Sequence, residues 1–299
     1  MKSIAIPQNL KEEYPFESNF FEVAPDTHLH YVDEGRDNEK ILVMVHGNPT
    51  WSFFYRNLIK KFSKTHRVIA VDHIGCGLSS KPQDYDYSLK NHIENLSQLF
   101  RQKVLTINPN ARFDLIVHDW GGAIGSGFAL NFKERLDKMV IMNTAAFTDT
   151  FIPKRINLCK LPVVGEPMVR AFNAFAWPAT FMAVNKPLPK TIKSGYLLPY
   201  DNYQNRIATA RFVKDIPMND KHPTWATLKE IENGLKGLEG KKLILWGEKD
   251  FCFTPHFFKR WLDFYPEAQT QMLPNAGHYL LEDEPQQTEN LISTFFKQV

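Results

Sequence analysis

Cysteine is scarce in this chain. Cys76, Cys159 and Cys252 are the only three in 299 residues. An odd number in so long a chain argues against a disulfide framework and for a reducing compartment, which we read as the cytoplasm. Net charge is nearly absent too. The 36 basic and 33 acidic residues leave +3 and are interspersed, so the chain lacks the electrostatic footprint of a nucleic-acid binder. Long apolar runs are missing. The best candidate, Leu161 to Val184, is broken by Glu166, Pro167, Arg170, Asn173 and Pro178, which excludes a membrane span there. Lys11, Glu12 and Glu13 follow the first residues too closely to leave room for an apolar signal core. No internal repeat and no low-complexity tract occurs.

What the chain does hold is material for a large core. Hydrophobic residues make up 43% and aromatics 13%, enough for one large domain with an inserted element. Phe20–Val23 and Leu29–Val32, short strand-like runs around Pro25-Asp26-Thr27, predict an antiparallel hairpin. Ile41–Val45, Val68–Val71, Leu115–Val117, Met139–Met142 and Leu243–Trp246 are apolar runs of buried-strand type, and a shorter strand is expected near Thr270–Leu273. Helical spacing separates several of them: Trp51 to Phe62, Ile93 to Val104 with Ser88 as its cap, Phe257 to Phe264, and a last amphipathic stretch from Gln287 to Phe296. Alternating strands and helices call for a parallel sheet with right-handed crossovers.

Between residues 147 and 217 the pattern changes. Prolines 153, 162, 167, 178, 187, 189, 199 and 217 chop the segment, while Phe172, Phe175, Trp177, Phe181, Tyr196 and Tyr200 crowd it. Short helices with an apolar underside are expected here, forming a cap over a ligand pocket. Residues 1–146 and 218–299 then make up the core domain.

The chemistry gathers at strand ends. Asp114 to Asp119 runs into Trp120-Gly121-Gly122-Ala123-Ile124-Gly125, a strand, a tight turn and the glycine-rich start of a helix. In α/β-hydrolases that context holds a nucleophile, usually the serine of G-x-S-x-G. Here the central residue is Asp119. A serine attacking a saturated carbon forms an ether that water cannot reopen, whereas a carboxylate forms an ester hydrolysable at its carbonyl. The elbow thus points to displacement at an alkyl carbon; the plain structural reading is a helix cap. Asp250 and His278 also follow expected strands, in the chain order nucleophile, acid, base. His278 would activate water and Asp250 would hold its tautomer. Glu248 competes as the acid, and Asn143, at the end of the preceding strand, cannot serve as one. Asn48 and Trp120 offer side-chain N–H donors, and backbone N–H groups nearby could form an oxyanion hole.

The runs His46-Gly47-Asn48-Pro49-Thr50-Trp51, Val117-His118-Asp119-Trp120-Gly121-Gly122, Trp246-Gly247-Glu248-Lys249-Asp250-Phe251 and Ala276-Gly277-His278-Tyr279 resemble the haloalkane dehalogenase family of α/β-hydrolases, over nearly the whole chain. The resemblance implies a mostly parallel eight-stranded sheet flanked by helices, a helical cap, and no metal or organic cofactor. It implies Asp119 as nucleophile, His278 as base, Asp250 as acid, and Asn48 with Trp120 as the pair that binds the leaving halide ion. Asp72-His73-Ile74-Gly75-Cys76-Gly77-Leu78-Ser79, Asn143-Thr144-Ala145-Ala146-Phe147 and the stretch from Gly195 to Pro217 are similar to a branch of that family. This branch contains the β-lactone decarboxylases of bacterial olefin synthesis.

Dehalogenation of a small apolar haloalkane is the first expectation. Decarboxylation of a cis-β-lactone to a long-chain alkene stands beside it. Epoxide hydrolysis comes third, with Tyr196, Tyr200 or Tyr203 as the acid on the epoxide oxygen. No arginine follows Asp119 in the elbow helix, which disfavours a haloacid substrate. A non-catalytic receptor for an apolar ligand is the reading from another class, and an intact Asp119, Asp250 and His278 argues against it.

Overall fold

The computed structural model describes residues 4–298. Eight strands form one sheet: β1 (Asn19–Ala24), β2 (Thr27–Glu34), β3 (Ile41–Val45), β4 (Arg67–Val71), β5 (Phe113–Asp119), β6 (Leu136–Thr144), β7 (Lys241–Gly247) and β8 (Gln269–Leu273). Their spatial order is β1-β2-β4-β3-β5-β6-β7-β8. The hairpin strands β1 and β2 pair antiparallel, and β2 joins β4 antiparallel; every other pairing is parallel. The helices outside the β6–β7 connection are α1 (Arg56–Phe62), α2 (Leu89–Phe100), α3 (Trp120–Asn131), α10 (Pro255–Phe264), α11 (Leu280–Asp283) and α12 (Pro285–Lys297). Within it lie α4 (Lys154–Lys160), α5 (Gly165–Phe172), α6 (Ala176–Met182), α7 (Lys190–Leu197), α8 (Ile207–Asp215) and α9 (Pro223–Gly234).

The apolar runs read as strands are continuous because both faces of the sheet are covered. Along β3, Ile41, Val43 and Val45 enter one core with α2, α3 and α9, while Leu42 and Met44 enter the opposite core with α1, α11 and α12. A strand with two buried faces has no polar side to show. Ser88 caps α2 as expected, its hydroxyl accepting from the Asn91 N–H. The helix expected over Trp51–Phe62 opens as a 3₁₀ turn, Ser52–Tyr55, before α1 begins. Strand β6 starts at Leu136, earlier than its apolar run, because Lys138 pairs in register with Asp114 and Lys241 despite its polar side chain.

Helices α4 to α8, the first five after β6, are short, as prolines dictate. Helices α4, α5 and α8 share a small core of Cys159, Val169, Ala210 and Val213. The rest of the segment is tied into the main body: Ile192 and Tyr196 of α7 join one core, and Ile207, Ala208 and Phe212 of α8 join the other. Among the described residues, no helix is long and apolar enough to cross a membrane.

Candidate active site

Asp119 stands at the turn from β5 into α3 with φ 53° and ψ −131°. A non-glycine residue there is strained, at a cost of about 1–3 kcal/mol. Its side chain makes no cap to α3, so helix capping is not what it is for. The turn closes because its neighbours are glycines. A Cβ on Gly47 would lie 1.9 Å from Asp119 Oδ1, and one on Gly121 would lie 2.0 Å from the Val45 carbonyl oxygen. The Thr144 hydroxyl donates to the Asp119 carbonyl and holds the elbow from the β6 side. The backbone N–H of Asn48 donates to Asp119 Oδ1 at 2.6 Å, which leaves Oδ2 turned toward His278.

His278, on the loop after β8, brings the constellation together. Its Nε2 lies 3.5 Å from Asp119 Oδ2, and its Nδ1 lies 2.7 Å from Asp250 Oδ2. Asp250, just past β7, is fully enclosed. Its Oδ1 accepts from the Cys252 N–H at 2.6 Å and its Oδ2 also accepts from Asn143 Nδ2 at 2.9 Å. Burial pushes the Asp250 carboxyl up, but the charge and hydrogen bond of His278 and two backbone N–H donors outweigh it and leave it below its ordinary value. For His278, burial works against the cation, while the flanking Asp250 and Asp119 push it up to about 10. Beneath it, His118 Nε2 donates to the His278 carbonyl oxygen at 2.8 Å. Burial and the neighbouring His278 hold His118 down at about 3, so it stays neutral. Glu248 is exposed, and the carboxylate bonded to His278 Nδ1 is that of Asp250.

Two apolar chambers meet at Asp119. The smaller, about 120 Å³, runs past Trp120, Phe147, Leu228 and Phe257. The larger, about 270 Å³, runs past His278, Met168, Met182 and Leu158. Both are walled by Asn48, Asp119, Ile156, Phe175 and Cys252. A wider groove of about 1610 Å³ opens at the amino ends of the strands and contains none of these groups.

A family model described as the alpha/beta hydrolase fold matches residues 40–161. A cis-3-alkyl-4-alkyloxetan-2-one decarboxylase of Shewanella oneidensis is 42% identical over 276 residues, 90% of this chain and 85% of that protein. A decarboxylase of the same name from Xanthomonas campestris is 36% identical across 91% of this chain and 93% of its own length. The chain belongs to the haloalkane dehalogenase family of α/β-hydrolases, in the branch that holds the β-lactone decarboxylases. Haloalkane dehalogenase 2 of Mycobacterium bovis is 29% identical across 91% of this chain and 92% of that protein. The fold of haloalkane dehalogenase DbeA from Bradyrhizobium elkani superposes with a TM-score of 0.83 at 21% identity, covering 94% of this chain and 97% of that one. This chain is therefore an enzyme with an α/β-hydrolase fold.

In this hydrolase-fold enzyme the two expected halide donors differ. Trp120 is half-buried, lines the smaller chamber and packs on Phe212 with ring centres 5.5 Å apart. The Asn48 carboxamide instead donates to the Thr209 carbonyl of α8 at 3.2 Å, and its own oxygen is buried without a partner. The tyrosines considered for an epoxide line neither chamber. Tyr196 donates to Glu282, Tyr200 reaches the Thr50 carbonyl, and Tyr203 is exposed beneath Arg170. Asn143 escaped the sequence reading as a partner of Asp250. Its φ of 33° at the end of β6 turns the carboxamide toward β7, where it also accepts from the Gly247 N–H at 2.7 Å. Asparagine tolerates positive φ, and an Asn closing a buried strand was the available signal. Among the described residues, no group of three or more His, Cys, Asp or Glu is placed to hold a metal ion.

Proposed function

We propose that this enzyme splits a cis-3,4-dialkyl β-lactone into an alkene and carbon dioxide, with Asp119 as nucleophile, His278 beside it and Asp250 behind His278. The observation that carries the reading is the fork: two apolar chambers that share Asp119 as a common wall. A β-lactone with alkyl groups on adjacent ring carbons has two tails diverging from one reacting centre, and each tail has a chamber. A simple haloalkane has one tail and leaves the second chamber unused. The identities point the same way, 42% to a decarboxylase against 29% to a dehalogenase.

The steps balance without water. Asp119 Oδ2 attacks the ring carbon that bears oxygen, from the side opposite that oxygen. The carbon–oxygen bond breaks, and the ring opens to an alkyl ester of Asp119 carrying a free carboxylate on the neighbouring carbon. The electron pair of the carbon–carboxylate bond then forms the double bond and expels Asp119. Carbon dioxide leaves and the nucleophile is restored. Inversion followed by loss from the opposite face leaves both alkyl groups on one side, so a cis lactone gives a cis alkene. His278, held protonated between two carboxylates, donates toward the carboxylate as it forms. This is electrostatic stabilisation where charge develops, between apolar walls. The Asn48 N–H keeps the other Asp119 oxygen in place.

Halide displacement is the second reading, favoured by Trp120. Among the described residues no protein group takes its indole N–H, which leaves it free for a leaving anion. In that scheme esterified Asp119 no longer supports the imidazolium, His278 becomes a base, and water hydrolyses the ester.

The test uses the full chain with a cis-3,4-dialkyl β-lactone and, separately, a long-chain bromoalkane. Alkene and carbon dioxide without alcohol are expected from the first, and little bromide from the second. Bromide and alcohol with an untouched lactone sink the decarboxylase reading.

A further inference from the structure

The cap exposes more apolar surface than a solvated lid requires. Val163 is 91% exposed, Phe172 is 79% and Trp177 is 50%. Trp177 and Phe181 stack edge to face at 4.9 Å on α6, and the ammonium of Lys193 from α7 lies 5.4 Å from the indole centre. Val163 sits in the α4–α5 loop with φ 67°. For a β-branched residue this is an outlier of the backbone map. Surface loops normally spend such strain on small or polar residues; here it holds an apolar side chain out in solvent.

Charge on the same segment is one-sided. Residues 151–193 contain seven lysines and arginines against one acidic residue, Glu166, although the whole chain carries only +3. Glu166 is taken by Arg170, itself buried, and by Lys214. Lys160 is held by three backbone carbonyls and Lys186 by Glu284, so the positive surface rests on Lys154, Arg155, Lys190 and Lys193. The chambers open onto this face: Phe151, a wall of the smaller, and Leu158, a wall of the larger, are each about half exposed.

Aromatics and branched aliphatics among lysines differ from a protein–protein interface, where lysine is depleted. They match the interface of a bilayer, where tryptophan sits at the headgroup level and lysines meet anionic lipid. We propose that the face formed by α4 to α7 docks on an anionic lipid bilayer, so that apolar substrate enters the two chambers from the membrane. The inference needs only an apolar substrate and stands whichever one the site turns over.

The test is co-sedimentation of the full chain with vesicles of phosphatidylcholine alone and of phosphatidylcholine mixed equally with phosphatidylglycerol. The expected result is binding to the mixed vesicles, weaker binding to the neutral ones, and partial release by salt. Val163→Ser with Phe172→Ser and Trp177→Ser should reduce the bound fraction. Lys190→Glu with Lys193→Glu should lower the partition coefficient roughly tenfold or more. None of these side chains lines a chamber, so an unchanged thermal midpoint and unchanged turnover of a short-chain substrate serve as the folding control. No sedimentation with anionic vesicles, or full binding by both variants, overturns the proposal. So does a sedimentation-velocity result in which the serine variant loses self-association but keeps its vesicle binding, because the face is then a protein contact.

Discussion

Asn143 and Asp250 meet across the carboxyl ends of β6 and β7, the carboxamide donating at 2.9 Å to the oxygen that His278 Nδ1 reaches at 2.7 Å. One oxygen thus receives two donors from different strands, which fixes the carboxylate plane and with it the imidazole. Asn143→Ala removes a buried hydrogen bond of about 1–3 kcal/mol. The expected result is kcat lowered about tenfold, KM nearly unchanged, and a lower thermal midpoint. Unaltered kcat would show that Asp250 holds its place without Asn143.

Strain at the elbow makes an unusual expectation for Asp119→Gly. The variant should be inactive, yet glycine adopts φ 53° without penalty, so relief of about 1–3 kcal/mol of strain should raise the melting temperature by a few degrees. Differential scanning calorimetry of the two proteins decides it. A lower melting temperature means that the carboxylate beside His278 stabilises the fold by more than the turn strains it.

The imidazolium sets the pH dependence of stability. His278 has a folded value of about 10, above the ordinary 6.5, so its contribution is fully present below about pH 6.5 and is lost as pH rises through 10. The wild-type melting temperature should therefore fall between neutral pH and pH 10, and the slope should flatten in His278→Gln. Equal slopes in both proteins would assign the loss to other groups.

The fork predicts separable tail preferences. Leu228→Trp narrows the smaller chamber and Met168→Trp the larger. Assayed with a pair of lactones that carry a long and a short tail in exchanged positions, the two variants should reject opposite members of the pair. Loss of the same member by both would mean that the chambers hold one tail in succession.

Arg56 ties the core to the segment above it. Its two terminal nitrogens hold Glu282 at 2.5 and 2.9 Å, and Glu282 also accepts from Tyr196 of α7. The guanidinium and carboxylate are almost wholly buried, so Arg56→Met leaves an unpaired buried charge and should cost about 3–5 kcal/mol. Tyr196→Phe should cost only about 1 kcal/mol. Urea denaturation measures both.

Where residues carry their own signal, the fold was readable in advance. Unbroken runs such as Ile41–Val45 announce strands buried on two faces, and Ser88 announces the start of α2. Asp119, Asp250 and His278 were legible as a set because each follows a strand. Lys138 hid the beginning of β6, since a polar side chain interrupts the run while the backbone goes on pairing. The link from Asn143 to Asp250 spans 107 positions and has no local trace. Neither has the redirection of Asn48 to Thr209 on α8. The fork was equally hidden, because its walls come from segments far apart in the chain.

Asp119, Asp250, His278 and Asn143 all ride on the sheet or on the loops at its edge, whereas much of the chamber wall is lent by the proline-broken helices between β6 and β7. On the proposed reading, reactivity and appetite are thus inherited from different stretches of polypeptide. A graft that replaced those helices would hand the same attacking oxygen a new diet and leave its chassis as it stands.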